Sequence, residues 1–237
     1  MTLTKINQGF VTEQEHYKKL SSKFEYVSPP KNSGGGSDFL VVHKGIQATF
    51  ESKTSNTDIF DAGVLNTFSN GHIFNASNFL VNTHIVQLQD LISTNLSQLQ
   101  DYLNVVKADA FPHAIDVERY NEAKRNGKLI HLMTDEPLKD IIEHSFKKTH
   151  NMFVKANYVV IDDRVYLVSA DPIMDPLKLR DKGAIILDDG CIDKVSIRTA
   201  RSGTRNGRTS VSLRTQFRLH KQLPETQVTL EDLAPPK

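Results

Sequence analysis

Apolar residues recur with two different periods along the chain, and the change from one to the other sets its organisation. Tyr17, Leu20 and Phe24 lie at helical spacing within TEQEHYKKLSSKF, where Thr12 followed by Glu15 has the form of a capping box, so a helix over about 13–25 is predicted. Pro29, Pro30 and the glycines of EYVSPPKNSGGGS end it. DFLVV and IQATFESK read as strands, with HKG as a tight turn between them. From His84 to Lys107, the spacing of Ile85, Leu88, Ile92, Leu96, Leu99, Leu103 and Val106 predicts one long amphipathic helix. A shorter helix is expected over DVERYNEAKRNG, and another after Thr134 in DEPLKDIIEHSFKK, where Pro137 falls in the first turn.

The last third changes to strand-like periodicity. FVKANYVVI, RVYLVSA and GAIIL read as strands, with Asp162-Asp163 turning the first pair. KVSIRTAR and RTSVSLRTQFRL flank SGTRNG, in which Asn206-Gly207 is a hairpin signal. Alternation in the second of these strands places Val211, Leu213, Phe217 and Leu219 on one face. Ser210, Ser212, Arg214, Gln216 and Arg218 fall on the other. The tail PETQVTLEDLAPPK reads as an exposed end. The mixture predicts an α/β or α+β fold in a single domain over 1–237, with a C-terminal β-hairpin over 194–221 as an elaboration.

Composition narrows the class. A chain that is 38% hydrophobic and 24% charged is ordinary for a globular protein. The single cysteine, Cys191, excludes an intrachain disulfide and a thiolate zinc cluster and fits a reducing compartment. MTLTKINQGF lacks the apolar core of a signal peptide, and no run reaches the ~18–20 apolar residues of a membrane span. A soluble, cytoplasmic protein with no membrane partner is therefore expected.

Charge is unevenly placed. Lys194 to Lys221 holds eight Lys or Arg and no Asp or Glu, so a chain of net charge +1 carries −7 elsewhere. Arg201, Arg205 and Arg208 at the hairpin tip are placed to contact phosphates. Arg214, Gln216 and Arg218, projecting from a two-stranded ribbon, are suited to base edges in the major groove of DNA. The alternative is a solvated face that protects a sheet edge from aggregation.

The candidate chemistry lies in the first sixty residues. In QATFESK, alternation sets Glu51 and Lys53 on one face and Ser52 on the other. Asp38 opens the preceding strand, and a short turn returns the chain antiparallel to it. Two carboxylates beside a lysine suit metal-assisted phosphodiester hydrolysis: Asp38 and Glu51 would hold Mg2+, a hard cation that prefers oxygen ligands. Lys53 would steady the attacking water and offset developing negative charge. Glu51 is expected to be an exposed strand-end carboxylate whose removal spares the fold.

This arrangement resembles the PD-(D/E)XK nuclease superfamily, which includes many type II restriction endonucleases, Holliday-junction resolvases and phage nucleases. The resemblance covers about residues 10–60. It implies a restriction-endonuclease-like mixed central sheet flanked by helices, with Asp38 and Glu51 as acids and metal ligands and Lys53 as the lysine. A further acid from an N-terminal helix matches Glu15, with Glu13 behind it. Ser37 stands where the motif has proline. The implied activity is a Mg2+-dependent DNA endonuclease, first a restriction enzyme, with DNA as partner and a homodimer as the candidate assembly. A structure-specific or phage-encoded nuclease, a nuclease acting on RNA, and a non-catalytic nucleic-acid-binding protein are the alternatives.

The Gly34–Gly36 run reads as a loop that lets a nucleic-acid backbone approach Asp38, or as a synthetic linker. A phosphate-binding loop would need Gly-Lys-Ser/Thr opening a helix, and here a strand follows. No HExxH or GxSxG occurs. Cys191 reads as a buried or turn thiol, and Asp162, Asp163, Asp188 and Asp189 as acids at turns.

Overall fold

The computed structural model describes residues 8–30, 38–54, 59–76, 84–134, 156–220 and 222–233. Strands are numbered along the chain from β1 to β12 and helices from α1 to α4. The Gly34–Ser37 loop and the helix expected beyond Thr134 lie outside the described residues. Packing divides the chain into two compact units, one drawn from residues 1–58, 142–191 and 220–237, the other from 59–141 and 192–219. The fold is mixed α and β, with two sheets and four helices among the described residues.

In the first unit, α1 (Gln8–Ser21) begins earlier than its apolar spacing predicts. Thr12 therefore sits inside the helix, where its backbone N–H already has a helical partner to find, and it cannot serve as the cap. Leu20 of α1 is fully buried in a core with Phe24, Phe39, Val41, Phe50 and Tyr158. That core lines a five-stranded sheet of order β1 (Tyr26–Val27), β2 (Phe39–His43), β3 (Ile46–Lys53), β9 (Tyr158–Ile161) and β10 (Arg164–Leu167). Lys44 and Gly45 take φ of 48° and 79° and close the β2–β3 hairpin, as the HKG signal predicts. The sheet is mixed: β3 pairs in parallel with β9, Phe50 opposite Tyr158, and the other pairs are antiparallel.

Two C-terminal expectations are corrected. The tail is not an exposed end, because Val228, Leu230 and Leu233 are buried in the same core. The Val165 N–H donates to the Val228 carbonyl at 2.9 Å, and the alternation in VTL supplies the inward side chains. GAIIL forms no strand; Ile186 makes only an isolated bridge to Leu167.

The second unit is built on a seven-stranded antiparallel sheet. Its order is β5 (Ile73–Ala76), β4 (Ile59–Phe68), β12 (Arg208–Leu219), β11 (Ile192–Arg205) and β8 (His131–Met133). β6 (Ala110–Phe111) pairs with β4, and β7 (His113–Asp116) with β12. Asn206 and Gly207, at φ of 52° and 72°, turn β11 into β12. One sheet face buries Leu65, Val195, Ile197, Leu213 and Phe217. The single long helix expected over 84–107 is two, α2 (Ile85–Thr94) and α3 (Leu96–Val106). They part at Asn95, whose side-chain amide donates to the Leu91 carbonyl at 2.8 Å and so competes with the helical ladder. The helix expected in DVERYNEAKRNG is α4 (Val117–Arg125). Among the described residues, no helix is long and apolar enough to cross a membrane.

Candidate active site

The β2–β3 register fixes the geometry of the site. Phe39 lies opposite Phe50, so one step outward sets Asp38 beside Glu51 across the hairpin. Asp38 Oδ2 accepts the Ser52 backbone N–H at 2.7 Å, and Lys53 Nζ donates to Glu51 Oε1 at 2.8 Å. Alternation along β3 separates these groups from the core, since Ala48, Phe50 and Ser52 are buried on the opposite face. Glu51 is nonetheless only 6% exposed, which corrects the expectation of an open strand-end carboxylate. β3 is an interior strand here, with Val159 of β9 paired opposite Glu51.

Charge is concentrated here. Burial and the adjacent Glu51 carboxylate push the Asp38 carboxyl up to about 6, against the pull of Lys53 and the Ser52 N–H. Burial also lifts Glu13, with Glu51 adding to the effect and Lys53 opposing it. Burial disfavours the Lys53 ammonium, but Glu51 and Asp38 outweigh it and hold Lys53 above its ordinary value. Asp38, Glu51 and Glu13 thus share one field with the Lys53 ammonium.

Glu51 Oε2 is buried and has no hydrogen-bond partner. An orphaned carboxylate oxygen beside a second carboxylate is costly unless a cation or donor meets it. An oxygen-only donor set suits a hard divalent ion such as Mg2+. Among the described residues, no group of three or more His, Cys, Asp or Glu is arranged to hold a metal ion.

Of the two helix acids, Glu13 is the one whose charge couples to Glu51 and Lys53. Glu15 is exposed, its charge acts on His16, and it lines a cleft of about 310 Å³ with Lys19, Thr54 and Asp163. Helical spacing explains the exchange. Glu13, His16 and Leu20 recur at three- and four-residue intervals on the face turned to the sheet, whereas Glu15 projects away from it.

His16 was not singled out by the sequence. It is buried, with Nδ1 hydrogen-bonded to Ser52 Oγ at 2.8 Å and Nε2 3.9 Å from Asp163 Oδ1. Burial lowers its pKa, against the Asp162 backbone and Asp163. Lys19 grips Asp163 at 2.7 Å, so α1 is tied both to the residue between Glu51 and Lys53 and to the β9–β10 turn. The available signal was the three-residue step from Glu13 to His16.

The Arg-rich segment is placed differently from the expected free ribbon. β12 is an interior strand, flanked by β11 and β4, and β7 pairs with it near the tip. Arg208 donates to the Ala114 carbonyl at 3.0 Å, and Arg201 lies over the Tyr120 ring at 5.6 Å. Arg205 and Arg218 are exposed and Arg214 is half-buried. Gln216, on an interior strand, is only 8% exposed, so the amide that was expected to read bases is buried. Cys191 is buried, and burial raises its thiol pKa, away from a nucleophilic thiolate. Comparison with protein-family models, with curated proteins and with solved structures finds no match.

Proposed function

We propose that the chain is a Mg2+-dependent DNA endonuclease of the PD-(D/E)XK type, with a type II restriction activity as the leading form. The observation that carries this reading is the convergence of Asp38, Glu51 and Lys53 at one hairpin end, with Glu51 Oε2 buried and unpaired. The mixed first sheet and the coupling of Glu13 to Glu51 and Lys53 add support. Asp38 and Glu51 are the residues that would hold Mg2+, with Glu13 adding negative charge nearby. When bound, that ion would polarise a phosphoryl oxygen and lower the pKa of an attacking water. Lys53, anchored on Glu51 Oε1, presents a fixed positive charge for the negative charge that builds up on the phosphate oxygens. The Ser52 N–H holds Asp38 in place, and His16 holds Ser52 from beneath.

The test is incubation with plasmid, branched DNA and RNA, with and without Mg2+, for wild type and Glu51→Gln. Discrete plasmid fragments in Mg2+ that disappear in Glu51→Gln identify a restriction-type enzyme. Cleavage confined to branched DNA identifies a resolvase-like one, and cleavage confined to RNA a ribonuclease. Absence of Mg2+-dependent cleavage on every substrate, or full activity of Glu51→Gln, overturns the catalytic reading.

A further inference from the structure

The second unit's sheet has a polar face, opposite its buried apolar side, whose residues are aligned by register. Ser212 and Gln216 on it are buried, Arg198 and Arg214 half-buried, and Lys194, Arg218 and His131 exposed. Arg198 lies opposite both Arg214 and His131, and Lys194 opposite Arg218. Lys194, Arg198, Arg214 and Arg218 thus stand as four cations on one face. On the neighbouring strand β4, burial alternates so that Val64, Asn66 and Phe68 point to this same side, with Val64 opposite Arg214. Phe68 and Phe74 are each 46% exposed and stack on each other, with ring centroids 4.3 Å apart.

We propose that this face binds a nucleic-acid strand, with its cations on phosphates and the Phe68–Phe74 pair stacking on an unpaired base. Charge complementarity selects the polyanion, since repeated Lys and Arg along one surface match a phosphate backbone. The aromatic pair selects the base: two flat rings held exposed form a stacking platform for the π-face of any nucleobase. In a duplex that face is already covered by neighbouring base pairs, so the contact requires an unpaired or extruded base. Phe68 lies four residues along β4 from Val64, about 13 Å, and Val64 is opposite Arg214, so the rings and the cationic strands lie within the span of a short oligonucleotide. The residues that carry this surface beyond the Arg-rich hairpin are Phe68, Phe74 and His131. The surface lies wholly within the second unit and does not depend on phosphodiester hydrolysis.

The test is fluorescence anisotropy of a labelled short single-stranded DNA and of its duplex, in chelator, across a range of salt. Phe68→Ser/Phe74→Ser is expected to weaken single-strand binding roughly 10-fold or more while leaving duplex binding and the salt dependence unchanged. Phe68→Tyr/Phe74→Tyr keeps two stacking rings and is expected to bind as wild type, which separates a lost platform from a damaged fold. Lys194→Ala/Arg218→Ala, which removes the two exposed cations, is expected to weaken both probes and to flatten the single-strand salt slope by about 1.4. Wild-type affinity in the Ser pair, equal loss on strand and duplex, or competition by poly-glutamate as effective as by unlabelled oligonucleotide would overturn the proposal. Glu51→Gln, the probe of hydrolysis, is expected to bind normally here, so failure of either reading is seen separately.

Discussion

Asp38 faces Glu51 across a hairpin, and the carboxyl retains its proton up to about pH 6. Its ordinary value is 3.8, so between about pH 4 and pH 6 the unfolded chain releases this proton while the folded chain keeps it. Stability then falls as pH rises through that window, by on the order of 2–3 kcal/mol at completion. Asp38→Asn preserves an oxygen for the Ser52 N–H and removes the ionisation. In chelator, the variant is expected to be more stable than wild type at pH 7 and nearly equal to it at pH 4, read by denaturant unfolding. The same variant is expected to lose Mg2+-dependent cleavage. An equal stability difference at both pH values would exclude Asp38 ionisation as the cause. Such a gain in stability on loss of activity is what a site built from adjacent buried acids should show.

At the level of the element, the register of α1 decides which acid reaches the site. Glu13 is coupled to Glu51 and Lys53, whereas Glu15 is exposed and turned toward His16. Glu13→Gln is expected to raise the Mg2+ concentration needed for cleavage several-fold, with Glu15→Gln unchanged; a Mg2+ titration of initial rate checks both. Equal shifts in the two variants would mean that helix charge acts only at long range. The strands β2 and β3 were legible because their turn residues, Lys44 and Gly45, lie between two alternating apolar runs. The helix start was less legible, because Thr12 and Glu15 match a capping box while the chain is already helical from Gln8. β4 escaped notice altogether. Its pairing with β12 shifts register between Gly63 and Asp61, and the extra residue interrupts the alternation that marks a strand.

Across the whole chain, residues far apart in sequence complete each unit. The tail enters the first unit's core through Val228, Leu230 and Leu233, and Leu230 is fully buried. Leu230→Ala is expected to cost about 2–5 kcal/mol, measured by chemical denaturation. A cost below about 0.5 kcal/mol would return the tail to the exposed end that its composition implies. Long-range packing also sets the environment of the histidines. Burial lowers the pKa of His16 in the first unit and of His113 in the second. Below the ordinary value of 6.5 the unfolded chain binds these protons first, so each buried histidine subtracts stability as pH falls.

The sequence by itself determined what local chemistry determines. Turn residues placed both hairpins, alternation put Glu51 and Lys53 on one face, and the spacing of acids and lysine marked the candidate chemistry. Period and turn preference act over a few residues, and a few residues are enough to read them. Only the tertiary structure decided that Glu51 is buried, that Glu13 couples to Glu51 and Lys53, and that His16 supports Ser52. It also made β12 an interior strand that covers Gln216, where the local pattern implied an open ribbon. Each of these depends on partners more than thirty residues distant or on the register between elements. Burial, charge coupling and strand order are properties of what packs against a residue, and no local period encodes them.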